Sequence, residues 1–258
     1  MPTFTSNDAQ INYQTFGQAT KPAIIFSNSL GTNYSMWQAQ IDAFESDFYV
    51  ICYDTRGHGE SSAPQGPYSI EQLSLDVINL LDHLKVQKAV FCGISMGGLT
   101  GQWIAIHYPN RFHKVIICNT AAKIGQEAAW RDRAALVRDQ GLAPIASTAA
   151  GRWFTENFVA QYPEVVVQLS KNLSKGSAEG YASCCEALAI ADLRETINNI
   201  TIPVLVIAGR QDPVTTIEDG QFMLNRIPNA EIFAINASHI SNIEAALEFN
   251  QALRSFIN

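Results

Sequence analysis

Residues Ala89-Val90-Phe91-Cys92-Gly93-Ile94-Ser95-Met96-Gly97-Gly98 decide the fold of this chain. The first four are apolar and suit a strand, and the segment from Met96 through Trp103 to His107 suits a helix. Between them stands the pattern G-x-S-x-G. About one chain in ten of this length holds such a pentapeptide by chance, so its context has to carry the reading. A strand that turns sharply into a helix needs small residues flanking the turn. It leaves the serine hydroxyl exposed and the following N–H at the helix N-terminus. That context makes Ser95 a candidate nucleophile, against the competing reading of a glycine-rich packing turn.

Outward from this stretch, further apolar runs fall at Ala23 to Phe26, Phe48 to Tyr53, Val115 to Cys118, Val204 to Ala208 and Ile232 to Ile235. Their near-continuous apolarity predicts strands covered on both faces. Ile70, Leu73, Val77, Leu80, Leu81 and Leu84 lie on one face of a 3.6-residue period, as do Ile243, Ala246, Leu247, Leu253 and Ile257. Ser69 with Gln72, Thr215 with Glu218, and Ser241 with Glu244 have the spacing of capping boxes and predict helix starts. Strand then helix, repeated, predicts an α/β fold with a mostly parallel sheet and helices on both faces. From about Ala121 to Ala187 no strand is evident. So long a connection is seldom a bare loop, and a helical insertion placed as a lid is expected there. The expected organisation is a core of residues 1–120 and 188–258 with an insertion of residues 121–187.

A serine hydroxyl needs a base, and the base an orienting acid. The run Val204 to Ala208 leads into Gly209-Arg210-Gln211-Asp212-Pro213, and Ile232 to Ile235 leads into Asn236-Ala237-Ser238-His239. Asp212 and His239 thus each follow the C-terminal end of a strand, where open α/β sheets build their sites. A solvated turn aspartate and a surface histidine are the competing readings, but the order Ser, Asp, His selects a triad of Ser95, Asp212 and His239. His83, His107 and His113 sit on helical stretches or before a strand, and His58, in a Gly-His-Gly loop, is read as structural. The N–H of Met96 supplies one donor for an oxyanion. The loop Ser27-Asn28-Ser29-Leu30-Gly31-Thr32 is placed to supply the second, and Leu30 N–H is the candidate.

With 258 residues, 47% of them hydrophobic, the chain can bury one large core. A net charge of −7 without runs of basic residues argues against nucleic acid and anionic membrane surfaces as partners. No apolar run approaches a membrane span and the N-terminus carries no signal-like h-region, so a cytoplasmic protein is expected. Five cysteines without C-x-x-C spacing suggest reduced, mostly buried thiols. No metal and no cofactor are called for.

Ser27 to Thr32, Asp54-Thr55-Arg56-Gly57-His58-Gly59, Gly93 to Gly98 and Gly209 to Pro213 together resemble the 3-oxoadipate enol-lactone hydrolases of the β-ketoadipate pathway, within the α/β-hydrolase superfamily. Asn28-Ser29 stands where most of that superfamily has His-Gly, and it matches the enol-lactonase variant. Tyr181-Ala182-Ser183-Cys184-Cys185-Glu186-Ala187-Leu188 resembles that family's return from the lid. The resemblance implies an eight-stranded sheet with a helical lid and opening of a small lactone that bears a free carboxylate. A protein of net charge −7 then needs a local cation for that carboxylate. Arg131, Arg133 and Arg152 are candidates, with Trp130 and Trp153 as apolar walls. A broad carboxylesterase, a carbon–carbon bond hydrolase, a cofactor-free perhydrolase and a non-turning small-molecule receptor would share fold and triad. Hydrolases with an aspartate nucleophile are set aside because Ser95 occupies that position.

Overall fold

The computed structural model describes residues 2–258. Eight strands form one sheet: β1 (Thr3–Ser6), β2 (Ala9–Phe16), β3 (Ala23–Ser27), β4 (Tyr49–Tyr53), β5 (Ala89–Ile94), β6 (Phe112–Cys118), β7 (Val204–Gly209) and β8 (Ala230–Ile235). Their order across the sheet is β1-β2-β4-β3-β5-β6-β7-β8. β3 through β8 run parallel, as six apolar runs predicted. β3, β4, β5 and β7 are buried at every position, which is what covering a sheet on both faces requires.

β1 and β2 add an antiparallel hairpin at one edge. No apolar run announced them. In β1 only Phe4 and Ser6 face inward, so half the residues are polar and solvated. The turn between them is made by Asn7 at φ 52°, a left-handed conformation that asparagine tolerates better than most side chains.

Among the described residues twelve α-helices accompany the sheet: α1 (Gln38–Phe44), α2 (Ile70–His83), α3 (Met96–His107), α4 (Glu127–Gln140), α5 (Ala143–Ser147), α6 (Ala150–Trp153), α7 (Glu156–Gln161), α8 (Pro163–Ser174), α9 (Ala178–Ile190), α10 (Ile217–Arg226), α11 (Ser241–Glu244) and α12 (Ala246–Ile257). α3 packs on β5 and β6, and α2 packs on α3. α12 packs on β8 and α1. Between β6 and β7 the chain makes six helices, α4 to α9. α4 lies along α9, and Arg138 of α4 bonds Glu179 at 2.9 Å and Glu186 at 2.7 Å on α9.

Two of the three predicted caps differ from expectation, and both differences lead to the site. Ser69 caps α2, accepting from Gln72 N–H as read. α10 is capped by Thr216 with Asp219, one residue later than Thr215 with Glu218, because the Thr215 hydroxyl is committed to Asp212. Ser241 is the first residue of α11 and no cap: its hydroxyl donates to Asn119, while Glu244 accepts from Ser238 N–H and the Thr155 hydroxyl. The five cysteines are free and buried.

Candidate active site

β5 passes through Ser95 into α3, and Ser95 stands at φ 57°, ψ −116°. A non-glycine residue at positive φ is strained, and here neighbours hold it. Ser95 N–H donates to Cys118 O at 2.9 Å, and its carbonyl accepts from the Thr120 hydroxyl at 2.8 Å. The flanking glycine explains itself by distance. A Cβ on Gly97 would stand 2.3 Å from Ser27 O, so the elbow closes onto β3 only without a side chain there. Gly97 N–H then donates to Asn28 O at 3.1 Å, which ties the elbow to the loop after β3.

That loop is fixed from behind. Asn28 Nδ2 donates to Tyr53 O at 2.8 Å and its Oδ1 accepts from Trp37 Nε1 at 2.9 Å, so the side chain points into the core. Gly31 N–H donates to His58 Nε2 at 2.9 Å, and Thr32 N–H to Ser29 O at 3.2 Å. Among the described residues Leu30 N–H has no acceptor. Met96 N–H is the first of α3 and has none within its helix. Two donors are thus left beside Ser95.

His58 plays the structural part expected of it. It is buried, and burial pushes its imidazole down to about 4, a carbonyl contact to Arg56 only partly opposing this. The neutral ring can therefore accept at Nε2. The loop holding it is anchored by Arg56, wholly buried and bidentate to Asp76 at 2.7 Å for each bond.

β7 delivers Asp212 and β8 delivers His239, whose Nδ1 lies 2.8 Å from Asp212 Oδ2. Asp212 Oδ2 also accepts from the Thr215 hydroxyl at 2.8 Å and Asn119 Nδ2 at 3.0 Å. Its Oδ1 accepts from Val214 N–H at 2.8 Å and Thr215 N–H at 3.1 Å. Burial alone would raise the Asp212 carboxyl. The charge and hydrogen bond of His239, with those further donors, outweigh it and hold the group below its ordinary value. An ionised Asp212 can only accept, so the proton facing it is on His239 Nδ1, and in the neutral ring Nε2 then carries the lone pair.

Ser95 and His239 line one cavity of about 280 Å³ with Ser29, Leu30, Trp130, Arg133, Arg152 and Trp153. Tyr181, Leu173, Leu188 and Val214 complete much of its wall. Arg131 is not brought there. It pairs with Glu127 at 2.8 Å on the outer face of α4, while Trp130 and Arg133 share the inner side. Arg133 lies over the Trp130 ring at 4.7 Å. Arg152 is held by Thr148 Oγ1 at 2.6 Å and Ile145 O at 3.0 Å. Burial and the nearby Arg133 charge press Arg152 downward, so the two cations share one region. Neither has a carboxylate partner among the described residues. Sequence reading missed Asn119 and Thr215, for which no motif exists, and Tyr181, which was quoted only as part of a resemblance.

A sheet of this order, with a serine elbow after β5, an acid after β7 and a histidine after β8, defines an α/β hydrolase. The chain belongs to the alpha/beta hydrolase fold family, whose model matches residues 22–246. It is 62% identical over 253 residues to 3-oxoadipate enol-lactonase 2 of Acinetobacter baylyi, covering 98% of this chain and 95% of that one. It is 44% identical to 3-oxoadipate enol-lactonase 1 of the same organism, covering 96% and 92%. The crystal structure of the enol-lactonase from Burkholderia xenovorans LB400 superposes with a TM-score of 0.97 at 42% identity, covering 99% of each chain.

Proposed function

We propose that this protein opens 3-oxoadipate enol-lactone to 3-oxoadipate. Similarity to enol-lactonases over nearly the whole chain supports the substrate. The observation that carries the reading is chemical: the cavity pairs Ser95 and His239 with two arginines that have no internal counter-ion. A small lactone that also carries a carboxylate satisfies both halves. The cations answer the overall charge of −7, which by itself repels an anion.

In this reading Ser95 Oγ attacks the lactone carbonyl while His239 Nε2 takes its proton. Leu30 and Met96 N–H groups hold the oxyanion. Asp212, kept ionised by its donors, stabilises the imidazolium. Collapse of the tetrahedral adduct breaks the ring C–O bond, and His239 returns the proton to the departing enol oxygen. An enol leaves more readily than an ordinary alkoxide. The acyl-enzyme remains. Water, deprotonated by His239, then attacks its carbonyl and releases Ser95, while the freed enol tautomerises to the ketone. No metal or cofactor enters any step.

The segment of residues 121–187 serves as a lid that supplies the walls Trp130 and Trp153 and the cations Arg133 and Arg152. No helix among the described residues is long and apolar enough to cross a membrane, and the partner in this reading is the small molecule alone. The test is the hydrolysis rate of the enol-lactone set beside rates for simple aryl esters. A clear preference for the lactone is expected. Equal specificity constants for both would leave a broad esterase as the better description.

A further inference from the structure

Asn119 follows β6, opposite the nucleophile elbow, and belongs to none of the motifs that point to the site. Its side chain makes three hydrogen bonds, one to the Asp212 loop and two to the loop that carries His239. Nδ2 donates to Asp212 Oδ2 at 3.0 Å and to Ser238 O, just before His239, at 3.0 Å. Oδ1 accepts from Ser241 Oγ, two residues after His239, at 2.5 Å. The amide can face only one way. Turned over, its oxygen would meet a carboxylate and a carbonyl, neither of which can donate.

The backbone is shaped for this. Asn119 stands at φ 42°, in the left-handed region, while its N–H extends the sheet ladder to Ile207 O at 2.7 Å. Asparagine is among the few side chains that tolerate such a φ. The opposite wall makes room. A Cβ on Gly209 would lie 2.7 Å from Asn119 Nδ2 and 2.7 Å from Ser238 O, so a glycine must stand at the end of β7 for the amide to reach both loops. Asn119 is itself buried, as are Asp212, Ser238, His239 and Ser241. A buried amide with every hydrogen-bonding group engaged is rigid, because any turn leaves several groups unsatisfied at once.

We propose that Asn119 is a positioning residue that clamps the Asp212 and His239 loops in one register, fixing the imidazole plane and the Nδ1–H tautomer. It touches neither substrate nor the reacting atoms and acts through Asp212 and the residues bracketing His239. The inference rests on the serine-nucleophile reading of the site. The other charged groups near the pair are Glu244, which accepts from Ser238 N–H, and Arg133 and Arg152 across the cavity. All three stay constant in the variants that test the clamp.

Three variants separate the clamp from simple packing. Asn119→Gly keeps the left-handed φ and removes the amide. Asn119→Asp keeps the shape and replaces the donor by a carboxylate facing Asp212. Ser241→Ala removes only the partner of Oδ1. Each is assayed for kcat and KM on the enol-lactone, for the pH profile of kcat/KM, and for the rate at which a fluorophosphonate labels Ser95. Asn119→Gly is expected to lower kcat and the labelling rate by about 30-fold or more with KM within about threefold, and Ser241→Ala to lower both by about three- to tenfold. Asn119→Asp is expected to move the acid limb of the profile upward, since a second carboxylate favours the imidazolium. Asn119→Gly within about twofold of wild type in both rates overturns the proposal. So does an unmoved acid limb in Asn119→Asp accompanied only by lost stability. If the Asn119 variants do not fold, Ser241→Ala decides, and unchanged rates there overturn the clamp. Wild-type protein that labels at Ser95 yet leaves the lactone unopened refutes the substrate and spares the clamp. Wild-type protein that does not label refutes both.

Discussion

Acidification should weaken this fold through one buried imidazole, and the size of the effect follows from its surroundings. His58 is held neutral by burial, with its ionisation pushed from 6.5 down to about 4. A base that resists protonation only when folded contributes its full stability above 6.5 and loses it progressively as pH falls toward 4. Each pH unit in that interval is worth about 1.4 kcal/mol, so the total is about 3 kcal/mol. Part of this is the Gly31 N–H bond, because a protonated Nε2 cannot accept. His58→Gln is the informative comparison: glutamine does not titrate, and its carbonyl can still receive Gly31 N–H. Urea unfolding of both proteins, followed by tryptophan fluorescence, is measured from about pH 7 down to about pH 4.5. Carboxylates titrate in both and cancel in the difference. The wild-type advantage over His58→Gln should shrink by at least about 2 kcal/mol across that range. A difference constant to within about 0.5 kcal/mol would show that His58 is not held neutral by the fold and would refute the argument.

Ser95→Ala should retain the fold by circular dichroism and lose about 10³-fold or more in kcat, and retention of a tenth of the activity would end its assignment as nucleophile. Arg133→Ala and Arg152→Ala, each assayed on the acid and methyl-ester forms of the lactone, should lose about 2–5 kcal/mol in kcat/KM on the acid alone for whichever residue grips the carboxylate. Equal losses on both forms would point to packing. Glu179, drawn down to about 2 chiefly by its hydrogen bond from Arg138, should stabilise the α4–α9 contact above the ordinary carboxylate value of 4.5 and cease to as pH falls toward 2. The pair is partly exposed and screened, so Glu179→Gln should cost under about 1 kcal/mol at neutral pH and nothing in strong acid; a cost that grows on acidification would contradict the sign.

The parallel part of the sheet was legible because strands buried on both faces write themselves as unbroken apolar runs. The hairpin of β1 and β2 was not: β1 alternates buried and exposed positions, β2 is only half-buried over its second half, and the turn is a left-handed asparagine with no glycine beside it. The candidate nucleophile, acid and base were readable because each follows a strand end in a fixed order. What holds them was not readable. Thr215 and Ser241 both looked like caps, and each hydroxyl is drawn instead to the site, Thr215 by Asp212 three residues before it and Ser241 by Asn119, remote in sequence. The arginines could have been sorted further. Trp130, Ala134 and Val137 mark the buried side of α4, and Arg131 falls off it by one position while Arg133 sits beside it.

The cavity draws most of its wall, though not Ser29, Leu30 and Val214, from a part of the chain separate from its candidate reacting groups. The candidate nucleophile Ser95 and base His239 come from the sheet's loops, whereas Trp130, Arg133, Arg152, Trp153, Leu173, Tyr181 and Leu188 all come from the helices between β6 and β7. Selectivity can therefore change by exchange of one continuous segment, without altering the machinery of bond cleavage. Two seams bound that segment, one after Asn119 and one before β7. A chimera carrying a related hydrolase's helices between those seams should keep the chemistry of this one and acquire the other's preferences.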